Sequence, residues 1–322
     1  MLPAIVIGGW LGAGKTTLVN RLLRDPGGRR IAVMVNDFGD IGIDADLIVS
    51  QDDQVMNLAG GCVCCAVGSD LVEALMALPG RTPAFDLVLI ETSGVALPGA
   101  VARSVRLVPG IEVDGVVVLA DAETVRARAV DRYVGDTVLR QLEEADLLVL
   151  NKIDLVPADT LDALRTWLDG AAPRAVRIEA TDAQVPAQVV LGLADADAPV
   201  RAPAHDGTGL FTGDPGARRS RPAAQLFESA SFEIGAPIDV AALGAALADP
   251  TLGLIRAKGA MRDHGGDRRV LQAVGARIRI HTAPAGSPAA RGDATGRLVV
   301  IGLRGTLDTA AIEARITAAL RP

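Results

Sequence analysis

Three short runs hold residues whose types and spacing can do chemistry together. Near the start, GGWLGAGKTT sets Gly9, Gly14, Lys15 and Thr16 in the pattern G-x-x-x-x-G-K-[ST]. In such a loop the backbone N–H groups wrap a polyphosphate, and the helix that follows adds partial positive charge at its N-terminus. Gly9, Gly12 and Gly14 permit the close approach, while Ala13 and Thr17 complete the nucleotide-binding stretch. Lys15 then reaches the β- and γ-phosphates, and the Thr16 hydroxyl is placed to coordinate Mg²⁺. Far downstream, Asn151, Lys152, Ile153 and Asp154 form an N-K-x-D run. One carboxylate, Asp154, can accept from both guanine N1–H and the 2-amino group, a donor pair that adenine lacks. Asn151 braces the loop and the Lys152 stem lies along the base, which favours GTP over ATP.

The third run is Cys62-Val63-Cys64-Cys65, preceded by a Gly-Gly pair, and it holds every cysteine of the chain. Such near neighbours make poor partners for a disulfide framework. Deprotonated, they offer soft sulfur to Zn²⁺, Cu⁺ or Co²⁺, one ligand short of a closed structural zinc site. A site lacking its fourth ligand suits a metal that comes and goes. The competing reading is of three small buried apolar residues.

The elements that must position these groups are short buried strands. AIVI leads into the glycine loop, and TTLVNRLLR leaves it as a helix. IAVMV predicts a strand ending near Asn36, followed by Asp37 and Asp40, which either bind Mg²⁺ directly or through water, or make local turn hydrogen bonds. FDLVLIETSG predicts another strand, ending at Glu91, where a carboxylate faces Mg²⁺ or the attacking water; Gly94 lets a backbone N–H approach the γ-phosphate. Asp121, ending VDGVVVLAD, reads as structural. A helix is expected from Ser69 or Asp70, with Glu73 completing a capping box, and a loop near Ala180 and Thr181 is expected to close over the base.

With 322 residues, 49% hydrophobic and only 2% aromatic, the chain fits two domains of β-α-β layers packed with branched aliphatics. The boundaries expected are 1–195 for the nucleotide domain, 196–224 for an Ala/Pro/Gly/Asp linker and 225–322 for a small α+β domain. A formal charge of −7 argues against nucleic acid as a partner, and no apolar run reaches the ~18 residues of a membrane span. Because the nucleotide strand begins at Ala4, a cleaved signal peptide would remove part of the site, so a cytoplasmic location is expected.

Taken in order, GGWLGAGKTT, VNDFGD, GCVCC, ETSG, NKID and RAKG resemble the CobW family of P-loop GTPases, relatives of the nickel-insertion GTPases of urease and hydrogenase. The resemblance covers nearly the whole chain. It implies a GTPase domain with a mostly parallel sheet, a smaller C-terminal domain, and slow GTP hydrolysis coupled to delivery of a transition metal. Zinc or cobalt would pass to a client metalloprotein, a metal-insertion enzyme or cobalamin biosynthesis. Carried over by position, Lys15 and Thr16 hold phosphate and Mg²⁺, Asn151 and Asp154 select guanine, and Cys62, Cys64 and Cys65 supply thiolates. Two departures stand out: aspartates at 37 and 40 where relatives usually carry glutamates, and a lone His205 where many have a histidine-rich linker. Two rival readings remain: a regulatory or scaffolding GTPase with a fixed structural zinc, and a P-loop kinase, against which Asp154 argues.

Overall fold

The computed structural model describes residues 1–35, 55–57, 69–192, 227–283 and 296–321. Asp37, Asp40, Cys62, Cys64, Cys65, His205 and the expected linker lie outside the described residues. The chain divides into two compact units, Met1–Gly192 with Val274–Arg277, and Leu193–Ala273 with Ile278–Pro322.

The first unit is built on seven strands: β1 Leu2–Gly9, β2 Ile31–Val35, β3 Val55–Asn57, β4 Leu87–Glu91, β5 Ile111–Asp121, β6 Leu147–Asn151 and β7 Val176–Ala180. They pair in the order β3-β2-β4-β1-β5-β6-β7, every pairing parallel. The strands β2, β4 and β6 are buried from end to end, as their unbroken apolar sequences require of a sheet covered on both faces. Packed on one side are helices Pro98–Val105 and Gly135–Glu143, whose Val101, Val105, Val138 and Leu142 join Val6, Val88, Ile90 and Val118 in one core. Helix α1, Lys15–Arg24, buries Leu18, Val19 and Leu22.

Strand β1 lies between β4 and β5, so the chain passes to one side of it and then to the other. At such a switch point the loops diverge and leave a crevice beyond the strand carboxyl ends. The row Asn57, Val35, Glu91, Ile7 runs straight across β3, β2, β4 and β1 at that end of the sheet.

The second unit holds a five-stranded sheet in the order β11-β10-β9-β12-β8, with β8 Phe227–Ile234, β9 Leu254–Arg262, β10 Arg268–Val274, β11 Arg277–Thr282 and β12 Gly296–Leu303. Strand β12, lying between β9 and β8, is antiparallel to both. The run RRVLQAVGARIRIHT, which reads as a single extended stretch, folds back at residues 275–276 into the hairpin β10–β11. Helices Val240–Leu247 and Thr309–Ala319 lay Leu243, Leu247, Ile312 and Ile316 on Met261, Leu271, Leu298 and Val300. Both helices begin at an aspartate cap: Asp239 accepts from the N–H groups of Ala241 and Ala242, and Asp308 from that of Ala311.

Candidate functional site

The glycine loop sits at the carboxyl end of β1 and opens directly into α1. Two of its glycines are there because nothing larger fits. A Cβ on Gly9, at φ +128°, would lie 2.2 Å from the Leu119 carbonyl oxygen, and one on Gly14, at φ +103°, 2.5 Å from Asn151 Nδ2. Around Gly12 the loop is open, since a Cβ there would meet nothing within 4 Å. Gly14 starts α1 with no side-chain cap, and no acidic residue occupies the first turn. The first N–H groups of this helix are thus left to an anion, next to the largely buried Lys15, whose Nζ lies 3.3 Å from the Trp10 carbonyl oxygen. Thr17 is exposed on the same turn.

Glu91 ends β4 in register with Ile7, and this brings it to the start of α1. The Thr16 hydroxyl donates to Glu91 Oε1 at 2.7 Å, and Glu91 is 2% exposed. With its proton committed to the carboxylate, the Thr16 oxygen keeps its lone pairs for a cation. This donor set fits Mg²⁺, a hard ion bound by few protein oxygens beside substrate phosphate. Beyond Glu91 the chain turns back onto the glycine loop. The Ala96 N–H donates to the Ser93 carbonyl at 3.1 Å, and a Cβ on Gly94 would lie 2.8 Å from the Leu11 nitrogen.

On the other side of the loop, the buried Asn151 joins three elements. Its Nδ2 donates to the Ala13 carbonyl at 2.9 Å, and its Oδ1 accepts the Ala183 N–H at 2.7 Å. Asp182 and Ala183 have φ of 50° and 52°, a left-handed backbone that non-glycine residues adopt only where it is held. Arg21 of α1 holds this loop as well, donating through Nε to the Asp182 carbonyl at 2.7 Å and pairing with the Asp182 carboxylate. Lys152, itself at φ 62°, pairs with Asp121 Oδ2 at 2.6 Å, while Asp121 Oδ1 accepts the Glu123 N–H. The lysine stem is thereby fixed, and Asp154 stands exposed in the 3-10 turn Ile153–Leu155.

The geometry thus unites Gly9, Gly14, Lys15, Thr16, Glu91, Gly94, Asn151 and Lys152 around one crevice. Several supporting residues gave no sequence signal. Gln141, 1% exposed, donates its Nε2 to the carbonyls of Gly94 (3.1 Å) and Ala96 (2.8 Å), although in QLEEAD it reads as one more polar helix position. Glu144, just beyond that helix, accepts the Gly99 N–H at 2.8 Å and ties down the start of the helix Pro98–Val105. Arg21 reads as a solvated cation, and its partner lies 161 residues away. Among the described residues no group of three or more His, Cys, Asp or Glu could hold a metal ion, and no helix is long and apolar enough to cross a membrane.

Comparison with known proteins shows which family the chain belongs to. Residues 3–178 match the CobW/HypB/UreG nucleotide-binding domain, and residues 227–320 match the cobalamin synthesis protein cobW C-terminal domain. A protein named zinc chaperone CobW, from Sinorhizobium sp., is 33% identical over 363 residues, covering 98% of this chain and 97% of its own length. The zinc-regulated GTPase metalloprotein activator 1 of Schizosaccharomyces pombe is 32% identical over 175 residues, 51% of this chain and 42% of that protein. Among solved structures, the Zn(II)-bound YjiA GTPase from E. coli aligns over 100% of this chain and 99% of its own, at 21% identity and a TM-score of 0.42. With one family model spanning more than half of the chain and a relative matched from end to end, this chain belongs to the CobW family of P-loop GTPases.

Proposed function

We propose that this GTPase is a metallochaperone that uses GTP to time the transfer of a transition metal, zinc or cobalt, to a client metalloprotein, a metal-insertion enzyme or cobalamin biosynthesis. Zinc is favoured by the names of the relatives, which include a zinc chaperone matched along nearly its whole length. The observation that carries the coupling is the register at the carboxyl end of the sheet. Val35, which precedes the aspartate segment, and Asn57, which precedes the cysteine segment, stand in one row with Glu91. At about 4.8 Å per strand, Asn57 starts its loop only about 10 Å from the residue that holds Thr16.

In this reading Gly9, Gly12, Ala13, Gly14 and Thr17 line the phosphates, and Lys15 neutralises the β- and γ-oxygens. Asp154 selects guanine on a loop braced by Asn151 and Lys152. Thr16 would hold Mg²⁺, with Glu91 fixing the hydroxyl by accepting its hydrogen bond; when bound, the ion would offset phosphate charge. Asp37 or Asp40 would add oxygen ligands, either to Mg²⁺ or to the transferred metal. Cys62, Cys64 and Cys65 would carry the cargo metal as thiolates. A thiolate site that loads and unloads suits a reducing compartment, which supports a cytoplasmic location.

GTP would tighten the cysteine site and hydrolysis would loosen it; by linkage, metal would change GTP affinity by the same factor. The test is a titration of Zn²⁺ and Co²⁺ into the protein with GDP and with a non-hydrolysable GTP analogue plus Mg²⁺. Tighter binding in the triphosphate state, lost when the three cysteines are replaced by alanine, is expected. Equal affinity in both states refutes the coupling and leaves the fixed structural site.

A further inference from the structure

The Ser93 hydroxyl is buried, the residue being 8% exposed, and among the described residues it has no hydrogen-bond partner. Such orphans are rare because a hydroxyl withdrawn from water without a partner destabilises the fold. It sits next to the reaction centre. The Thr92 N–H still donates to the Ile7 carbonyl at 2.9 Å, so extended pairing continues one residue past Glu91. Carried two residues past the strand end, extended alternation puts Ser93 on the face of Glu91 and Thr92 on the other. Ser93 is also bracketed by two contacts with the glycine loop and its helix: Thr16 to Glu91 on one side, and Gly94 against Leu11 on the other. Its own backbone is held, its carbonyl by the Ala96 N–H and the neighbouring Gly94 carbonyl by Gln141.

We infer that Ser93 is a catalytic residue of GTP hydrolysis whose hydroxyl donates a hydrogen bond to an oxygen of the terminal phosphate. The inference rests on the nucleotide reading above. In the reaction, water oxygen bonds to the γ-phosphorus, one water proton passes to a γ-phosphate oxygen, the bond to the β–γ bridging oxygen breaks, and GDP leaves with that electron pair. Ser93 keeps its proton throughout and stabilises charge on a γ-oxygen that gains in donor demand as the transition state forms. The site accepts its partner only with a nucleoside triphosphate, because GDP brings no γ-oxygen.

The test compares wild type, Ser93→Ala and Ser93→Thr in steady-state GTP hydrolysis, in binding of GDP and of a non-hydrolysable GTP analogue, and in thermal unfolding without nucleotide. For Ser93→Ala, kcat falls about tenfold to a hundredfold and preference for the analogue over GDP drops, with GDP affinity retained. The unfolding midpoint stays level or rises, since the variant deletes an unpartnered polar group. Ser93→Thr, which keeps the hydroxyl, recovers most of kcat. Unchanged hydrolysis in Ser93→Ala overturns the assignment, as does an equal loss of GDP and analogue affinity, which marks a role in shaping the loop alone. Absence of GTP hydrolysis in the wild type overturns the nucleotide reading itself and so is distinguishable from failure of Ser93 alone.

Discussion

Replacing Asn151 with alanine removes a buried side chain that ties the glycine loop to the loop following β7. Two buried backbone groups lose their partners, the Ala13 carbonyl at 2.9 Å and the Ala183 N–H at 2.7 Å. Each costs about 1–3 kcal/mol when left unpaired. The left-handed conformation of Ala183, unfavourable by roughly 1–2 kcal/mol, also loses one of its restraints. Allowing for relaxation and entering water, the variant should lose about 3–4 kcal/mol. For a unit of this size that lowers the unfolding midpoint by about 7–14 °C. Because the brace acts on the glycine loop and the base side, which GTP and GDP share, both affinities should fall together by about tenfold or more. The assays are calorimetric unfolding and fluorescence titration with labelled GTP and GDP. Asn151→Asp keeps an acceptor for Ala183 but turns a carboxylate toward the Ala13 carbonyl, so it should rescue neither stability nor affinity. A midpoint within about 2 °C of wild type, with both affinities intact, would refute the reasoning.

Two further outcomes follow from named contacts. Gln141→Leu strips the Gly94 and Ala96 carbonyls of their buried donor. It should lower kcat for GTP hydrolysis several-fold while leaving GDP affinity near wild type, measured by phosphate release and by titration; a matched loss of GDP affinity would show that Gln141 shapes the whole pocket. In the second unit, the side-chain hydrogen bond from Arg269 chiefly holds the Asp263 carboxyl below its usual range. A carboxyl lowered in the folded state stabilises above the unfolded value of about 4 and loses that contribution as pH falls through the folded one. Asp263→Asn should therefore lower the midpoint of the second unit at neutral pH and converge on wild type in acid, read by unfolding across a pH series.

How much of this was legible in the sequence depends on how local each contact is. The glycine loop was legible because one continuous stretch makes it, and its chemistry needs only backbone N–H groups, Lys15 and Thr16. The parallel sheet was legible because strands buried on both faces read as unbroken runs such as IAVMV and LVLIE. Glu91 was half legible: an acidic strand end is easy to see, but that it grips Thr16, 75 residues away, follows only from the register of Ile7 with Glu91. Asp121 reads as structural, yet its pairing with Lys152, whose stem is expected to lie along the base, carries no sequence signal.

The positions that escaped are those whose role is to hold other residues. Gln141 and Arg21 are ordinary polar residues on helices, and nothing in their local composition separates a solvated amide or guanidinium from one aimed at a carbonyl. What decides is the tertiary placement of loops that follow other strands. The held loops themselves are unusual: Lys152, Asp182 and Ala183 are the non-glycine residues with positive φ among the described residues, and all three lie in the loops that follow β6 and β7, the side proposed to take the base. Backbone strain gathered there, and restrained by Asn151, Arg21 and Asp121, is what a preorganised base pocket requires. If this side of the site is already set before nucleotide arrives, the difference between GTP and GDP would be read on the other side, where the proposed assignment puts the terminal phosphate near Thr16, Glu91 and Ser93. That is also the side on which Val35 and Asn57 deliver the aspartate and cysteine segments, so the sheet register favours the γ-phosphate as the signal to the metal site.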